Sequence, residues 1–232
     1  MSGDLGGVGL YIAFLVPPLL FGLAVQAWLR RTFSRYSQVP LANRLSGAQV
    51  AREILDHNGL TDVPVQQAQG GPLSDYYDPR KRQLHLSEPV YAPPTVSAAA
   101  VAAHESGHAL QQARNYVPLR LRSAIFPVVA FASSAWIWLL LIGALLGALN
   151  LVALALILYA AAVAFHIVTL PVEFNASRRA SVQLRELGLV GTSEQAGVQK
   201  VLTAAAMTYV AGALAALSQL LYYVVVFFGR RE

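Results

Sequence analysis

Residues 92–116 read APPTVSAAAVAAHESGHALQQARNY, a run of small apolar residues with two histidines and a glutamate at its centre. Two prolines followed by Thr95 are typical of a helix start, so the stretch predicts a helix from about Thr95 to Arg114. Residues four apart lie one turn above the other, which places His104 and His108 on the same face. The chain has five histidines, and the pairing of two of them indicates a shared chemical role.

The pattern HESGH at residues 104–108 is an HExxH motif, in which both imidazoles can reach one metal ion. Zinc binds imidazole and carboxylate ligands, and a catalytic zinc site has three protein ligands and one open position. Zinc lowers the pKa of the attacking water and polarises the scissile carbonyl. Glu105 is then expected to act as the general base and to pass the proton to the leaving amine. The alternative is a helix whose histidines only form hydrogen bonds in a core.

The composition indicates a membrane protein. Of the 232 residues, 56% are hydrophobic and 12% are charged, whereas soluble domains carry about 25% charged residues. The chain has no cysteine, which excludes disulfides, thiolate metal ligands and cysteine nucleophiles. The net charge of +5 could suggest a nucleic-acid partner, but the placement of the basic residues along the chain argues against one, and no nucleic-acid partner is predicted.

Four apolar segments approach or exceed the roughly 20 residues that a helix needs to cross a bilayer; they are residues 8–28, 124–148, 151–171 and 207–228. No charged residue occurs from Ser123 to Val172, and Asn150 lies near the middle, so this part predicts a helical hairpin with a short turn. The first segment follows Asp4 instead of a basic leader and precedes two arginines, which predicts a signal anchor with its N-terminus outside.

The positive charges are divided unevenly between the two faces that four passes create. Of the 17 Lys and Arg residues, eleven lie between residues 30 and 122 and four between 178 and 200, while Arg230 and Arg231 follow the last span. By the positive-inside rule, the first two groups are cytoplasmic. The sequence therefore predicts a multi-pass protein of the bacterial inner membrane, with the HExxH motif on the cytoplasmic side.

A third metal ligand is needed, and the composition does not choose it. Glu173 stands out because it directly follows the third span and has the apolar neighbours Val172 and Phe174. A lone carboxylate at the membrane edge is costly unless it is paired or bound to a metal ion. The alternative is a carboxylate near a helix start that the helix dipole stabilises.

Three stretches carry a family resemblance: LSDYYDPRKRQLHLSEPVY, AAHESGHALQQA and LPVEFNASRRA, in this order, with a hydrophobic hairpin before the third. Together they resemble the YugP-like neutral zinc metallopeptidases of bacterial membranes. The resemblance extends from about Ser46 to the last span. It implies a zinc-dependent, membrane-embedded endopeptidase with one Zn²⁺ per chain.

The arrangement is also similar to the HtpX and CaaX prenyl protease group. In that group, HExxH is followed, after membrane spans, by a Glu-x-x-Ala-Asp segment whose glutamate is the third zinc ligand. The matching residues here are EFNAS at 173–177, so the resemblance implies Glu173 as the third ligand beside His104 and His108. Ser177 stands where the group has an acid that supports a ligating histidine. Ser177, Asn175 or another residue is expected to take that supporting role here.

The predicted fold is that of a mainly α membrane protein with four transmembrane helices and a small α+β zincin-like cytoplasmic domain built from two inserts. The predicted segments are an N-terminal transmembrane helix, a cytoplasmic segment with the HExxH helix, a transmembrane hairpin, a cytoplasmic helical segment with the third ligand and a C-terminal transmembrane helix. Their residue ranges, in the same order, are 1–29, 30–123, 124–172, 173–206 and 207–232.

Shorter patterns predict the elements of the two inserts. Ser46 and Gln49 have capping-box spacing at the start of a helix in SGAQVAREILDHNGL. VPVQQA predicts a strand, and LSDYYDPRKRQLHLS predicts two strands around a turn at residues 78–81. In the second insert, Gly188 and Gly191 separate two helical stretches.

Further residues are candidates around the site. Zincin-type peptidases bind a substrate as an added strand, and the strand at residues 82–86 or its partner is the candidate here, with a purely structural hairpin as the alternative. Arg178, Arg179 and Tyr209 are candidate donors to the oxyanion of the transition state. His166 lies inside a span, where ionisable residues are costly and often functional, and it either contributes to the site or bonds another span.

The predicted function is that of a membrane-embedded zinc metallopeptidase that hydrolyses a peptide or membrane-protein substrate at the cytoplasmic membrane surface. The alternative is a catalytically silent zinc-binding scaffold or adaptor, against which Glu105 argues, because a structural zinc site has no use for a base. An intramembrane protease of the site-2 type would need a later aspartate ligand, and no aspartate follows Asp78. A transporter or channel would need paired polar groups inside its spans.

Overall fold

The computed structural model describes residues 2–71 and 74–229, with side chains from residue 8 onward. Seven helices and three strands lie in this part of the chain. The helices are α1 (Ser2–Tyr36), α2 (Gly47–His57), α3 (Glu88–Tyr91), α4 (Val96–Ala113), α5 (Val117–Leu145), α6 (Leu149–Glu186) and α7 (Thr192–Phe228). The strands are β1 (Val65–Gln67), β2 (Tyr76–Asp78) and β3 (Gln83–Leu86).

The helices α1, α5, α6 and α7 are long and apolar enough to cross a membrane. The four predicted spans are therefore confirmed, and the chain is a multi-pass membrane protein. The helices are longer than the apolar segments that predicted them, and α6 continues through Pro171 to Glu186. It continues because Val172, Ala176 and Ala180, spaced by one turn, are buried and give the polar part of the helix a packed face.

The chain forms two compact units, and each of the four long helices contributes to both. The membrane unit comprises Met1–Gln26, Arg120–Pro171 and Thr208–Glu232, and the polar unit comprises Ala27–Leu119 and Val172–Met207. In the membrane unit, Trp136 of α5 stacks on Tyr159 of α6 with ring centroids 4.2 Å apart. The Tyr159 hydroxyl donates to Gln219 of α7 at 2.9 Å, so aromatic packing and a polar contact hold these helices together.

The polar unit has one hydrophobic core. Its buried side chains come from both polar segments of the sequence, among them Val50, Ile54, Leu84, Leu86, Leu184 and Val201. The helix α2 presents its apolar face to this core and begins with the predicted capping box. Ser46 Oγ accepts from the Gln49 backbone N–H at 3.2 Å, and Gln49 Oε1 accepts from the Ser46 N–H at 2.9 Å. The cap satisfies backbone donors that the first helical turn would otherwise leave unpaired.

The three strands form a sheet in the order β1-β3-β2. The strand β3 pairs in parallel with β1, with Val65 opposite Leu84, and antiparallel with β2, with Tyr77 opposite Leu84. In the β2–β3 turn, Asp78 Oδ1 accepts from the backbone N–H groups of Arg80 and Lys81 at 2.8 and 3.1 Å. All three strands and this turn were predicted.

The position of β3 corrects one expectation. The strand at residues 82–86 was a candidate to receive a substrate strand, but β3 lies in the middle of the sheet with a partner on each side. Its backbone donors and acceptors are therefore already paired, and β3 cannot take an added strand. Within the described residues, the outer edge of its partner β2 has no paired strand.

Candidate metal centre

The helix α4 carries the HExxH motif and runs through the core of the polar unit. Thr95 caps the start of the helix, and its Oγ1 accepts from the Ala98 N–H at 3.3 Å. The helix covers Val96–Ala113, within one residue of the predicted bounds at each end. The N-terminal end is also fixed by backbone contacts, since the Val96 N–H donates to the Val39 carbonyl at 3.0 Å. Its small residues are fully buried, namely Ala98, Ala99, Ala100, Ala102 and Ala103. The small side chains allow neighbouring elements to pack close to the motif.

Gly107, inside the motif, packs directly against the backbone of α6. A Cβ atom at this position would lie 2.6 Å from the carbonyl oxygen of Ala176 in α6. A Cβ carbon does not approach a carbonyl oxygen that closely, so the helix spacing requires glycine here. This contact brings the two histidines of α4 next to Glu173, which lies three residues before Ala176.

The structure brings His104, His108 and Glu173 together. Glu173 is 1% exposed, and its Oε2 lies 3.2 Å from Nε2 of His104 and 3.5 Å from Nε2 of His108. Within the described part of the chain, these residues are the one group of histidine, aspartate and glutamate side chains that can hold a metal ion, with ligand atoms within 4.8 Å of one another.

The donor set fits zinc. Two imidazole nitrogens and one carboxylate oxygen form a ligand set of the kind found in catalytic zinc sites. Ligands at about 2.0–2.2 Å from a tetrahedral zinc ion lie roughly 3.3–3.6 Å from one another. The separations of 3.2 and 3.5 Å between Glu173 and the two imidazoles are close to that range.

Glu105 is buried in α4 beside the two histidines, with 8% of its surface exposed. Burial raises the pKa of its carboxyl group, and the charges of His104 and His108 only partly offset that effect. Burial by itself would lower the pKa of His108. The hydrogen bond to Glu173 and the negative charge of Glu173 outweigh burial, so the pKa of His108 is raised. The three side chains and Glu105 therefore form one electrostatically coupled cluster.

Two side chains contact the far nitrogens of the histidines. Ser177 Oγ lies 3.1 Å from Nδ1 of His104, at the position that the family comparison suggested for a supporting residue. Gln111 Oε1 lies 3.0 Å from Nδ1 of His108. Gln111 was not predicted, although its position three residues after His108 on the same helical face was a usable signal. Asn175 contacts Gln111 and not a histidine ring.

The other predicted site residues lie outside the metal-binding group. Arg178 is exposed on α6. Arg179 donates from Nε to Asn175 Oδ1 at 2.7 Å, and its guanidinium lies 5.9 Å from the ring centroid of Tyr116. Tyr209 and His166 belong to the membrane unit. The proposed roles of these residues in oxyanion binding, and of His166 near the site, stay predictions.

The fold and the site together define a multi-pass membrane protein with a buried His-His-Glu group suited to zinc. The chain belongs to the family described as "Putative neutral zinc metallopeptidase", which matches residues 11–228. The "Putative membrane protease YugP" of Bacillus subtilis (strain 168) is 48% identical over 223 residues, which cover 96% of this chain and 99% of that protein. No solved structure matches the chain. The resemblance noted from the sequence motifs is confirmed.

Proposed function

We propose that the protein is a zinc-dependent metalloendopeptidase that cleaves peptide or membrane-protein substrates. One Zn²⁺ per chain would be held by His104, His108 and Glu173. The convergence of these three donors next to the buried Glu105 is the observation that carries the proposal. The family to which the chain belongs supports it, since that family is described as "Putative neutral zinc metallopeptidase".

Each residue has a distinct task in this proposal. Zinc, when bound, polarises the scissile carbonyl and lowers the pKa of the attacking water. Glu105 takes a proton from that water and delivers it to the leaving amine. Its raised pKa supports this role, because a proton acceptor that must also release the proton works best when its pKa is close to the working pH.

The open edge of β2 supports a mode of substrate binding. An extended peptide can add to a free strand edge through backbone hydrogen bonds. The Tyr77 hydroxyl in β2 donates to Gln112 Oε1 of α4 at 2.7 Å, so this strand is fastened to the helix that carries the HExxH motif. We therefore assign the substrate strand to the edge of β2, in place of the central β3.

The location of the site follows from the distribution of charge. Fifteen of the 17 Lys and Arg residues lie in the two segments that four passes would place on one side of the membrane. The positive-inside rule makes that side cytoplasmic. The proposed peptidase thus acts at the cytoplasmic surface of the bacterial inner membrane.

The substitution Glu105→Gln tests the mechanism. The glutamine keeps the size of the side chain but cannot accept the proton, so cleavage of a casein-like substrate should fall about 10²- to 10⁴-fold. The zinc content of the purified protein should stay at the wild-type value, because Glu105 is not among the proposed ligands.

The matched control is Glu53→Gln, which changes an exposed carboxylate on α2 and should leave both cleavage and zinc content unchanged. Cleavage by Glu105→Gln at the wild-type rate would remove the peptidase mechanism. If the wild-type protein binds zinc and cleaves nothing, a zinc-binding scaffold becomes the better description.

A further inference from the structure

Gln111 is a fully buried polar residue between α4 and α6. Its side chain is 0% exposed and has three hydrogen-bond contacts. Oε1 lies 3.0 Å from Nδ1 of His108, while Nε2 donates to the Val172 carbonyl at 2.7 Å and to Asn175 Oδ1 at 3.1 Å. A buried amide that uses its oxygen and both of its N–H groups has no freedom to rotate without losing hydrogen bonds.

The orientation of the Gln111 amide is fixed by hydrogen bonds to residues of α6. A guanidinium can only donate, and Arg179 Nε lies 2.7 Å from Asn175 Oδ1. The Asn175 oxygen is therefore the atom that faces both Arg179 and Gln111. The Val172 backbone carbonyl can only accept. Two acceptors thus face the same end of the Gln111 amide, and that end must be the NH₂ group.

The orientation of Gln111 decides which nitrogen of His108 carries the proton. The amide oxygen that faces Nδ1 can only accept, so Nδ1 must donate. In a neutral imidazole the other nitrogen, Nε2, then has a free lone pair. Nε2 is the atom that lies 3.5 Å from Glu173 Oε2, in the group that can hold a metal ion. A metal ion requires that lone pair.

His104 is not constrained in the same way. Its Nδ1 lies 3.1 Å from the Ser177 hydroxyl, and a hydroxyl can either donate or accept. The two histidines of the motif therefore differ, because the surrounding hydrogen bonds determine the tautomer of His108 only.

We propose that Gln111 is a positioning residue that holds His108 in the Nδ1–H tautomer and aims Nε2 at the metal ion. The proposal deepens the proposed function and rests on it for the presence of zinc. Many metal-bound histidines are supported by a carboxylate. Here an amide supplies the acceptor without adding a negative charge to an interior that already contains Glu105 and Glu173.

The test compares Gln111→Met with Gln183→Met in the full-length protein in detergent. Methionine keeps the length of the side chain and removes the hydrogen bonds. Gln183 is also buried in the polar unit, where it accepts from Asn58 at 2.6 Å, so its substitution controls for the loss of a buried glutamine. Nitrogen-15 NMR of the metal-free, histidine-labelled protein reports the tautomer, with the His108 signals assigned from the spectrum of His108→Gln. Spectra are recorded at rising pH and compared where the His108 ring is neutral, because Glu173 raises the pKa of His108 and a protonated ring carries a proton on both nitrogens.

We expect wild type and Gln183→Met to show His108 with its proton on Nδ1, and Gln111→Met to lose that preference. Zinc affinity, measured by competition with a chelator, should fall on the order of 10- to 100-fold in Gln111→Met and stay unchanged in the control. An unchanged tautomer together with unchanged zinc affinity in Gln111→Met would overturn the proposal.

A second pair of variants keeps the proposal testable if Gln111→Met does not fold. Asn175→Asp preserves an acceptor for both Gln111 and Arg179, whereas Asn175→Leu removes it. The aspartate variant should keep the Nδ1–H tautomer at the wild-type population. The leucine variant leaves the Val172 carbonyl as an acceptor at the NH₂ end of Gln111, so it should lower that population without abolishing it. An unchanged population in both variants would overturn the proposal. Because this measurement uses neither zinc nor cleavage, it decides on Gln111 even if the proposed peptidase function fails.

Discussion

At the level of single residues, the centre depends on one carboxylate oxygen. Oε2 of Glu173 lies within 3.5 Å of both imidazoles, and the residue is almost fully buried. A buried carboxylate is costly unless it is bound or paired. Glu173 therefore has the position and the environment of a third ligand, and its removal tests that assignment directly.

We predict that Glu173→Ala lowers the zinc content from one ion per chain toward zero, as measured by elemental analysis of the purified protein. Two imidazoles remain in that variant, and they do not complete the three-ligand set of a catalytic site. The control is Glu186→Ala, which removes an exposed carboxylate at the end of the same helix and should retain zinc. Full zinc occupancy in Glu173→Ala would exclude Glu173 as a ligand.

The site residues differ in how far the sequence could predict them. His104, Glu105 and His108 follow from local helix geometry, since residues four apart share a face. Glu173 lies 69 residues after His104. Its position at the membrane edge made it a candidate, and the family resemblance connected it with the two histidines. Spacing along α4 could have pointed to a contact between Gln111 and His108, which lie three residues apart. The orientation of the Gln111 amide depends on atoms of α6, above all the Val172 carbonyl, and that part could not be predicted from spacing.

At the level of elements, the contact between α4 and α6 determines the distance between the ligands. Two helix backbones can approach this closely only where a residue lacks a side chain. The carbonyl of Ala176 occupies the space where a Cβ of residue 107 would lie. Some other glycines in the long helices, such as Gly22 in α1, have open space where a Cβ would lie, so helix packing does not require glycine at those positions.

We predict that Gly107→Ala destabilises the protein by roughly 1–3 kcal/mol, because overpacking forces the helices apart. Zinc affinity should fall as well, since the separation moves Glu173 away from the histidines. Both effects can be measured, the first by thermal unfolding in detergent and the second by competition with a chelator.

The matched control is Gly22→Ala in α1, where a Cβ would meet no atom within 4 Å. Alanine in an open helix position is favoured over glycine by roughly 0.5–1 kcal/mol. If Gly107→Ala also stabilises the protein, the close contact with Ala176 is not present in solution.

Element boundaries were predicted well where the signal is local and less well where it is not. The capping box, the β2–β3 turn and the helix α4 all have sequence signatures within a few residues. The order of the sheet depends on the parallel pairing of β1 with β3, which joins strands that are not adjacent in the sequence. No local pattern places β3 in the centre, so the sequence could not choose between β3 and its partner as the strand that receives a substrate.

At the level of the whole molecule, the placement of the polar unit relative to the membrane is open to a direct test. The chain has no cysteine, so one introduced thiol gives an unambiguous label. Arg80 lies exposed in the β2–β3 turn, and Leu146 lies exposed in the short turn between α5 and α6. Four spans place these two positions on opposite sides.

We predict that Arg80→Cys reacts with a membrane-impermeant maleimide in inverted vesicles and not in intact spheroplasts, while Leu146→Cys shows the opposite pattern. The reason is the excess of basic residues that accompanies Arg80. Labelling of Arg80→Cys in intact spheroplasts would place the site outside and contradict the proposed location.

The separation of Glu173 from the HExxH motif along the chain has a consequence for biosynthesis. The ribosome adds His104 and His108 first. It must then synthesise α5 and most of the membrane-spanning part of α6 before it reaches Glu173. Under the proposed ligand set, a nascent chain that stops short of α6 has only two of the three donors. The proposed peptidase would therefore be inactive while it is being translated, and it would gain its third metal ligand only after the third span has been made.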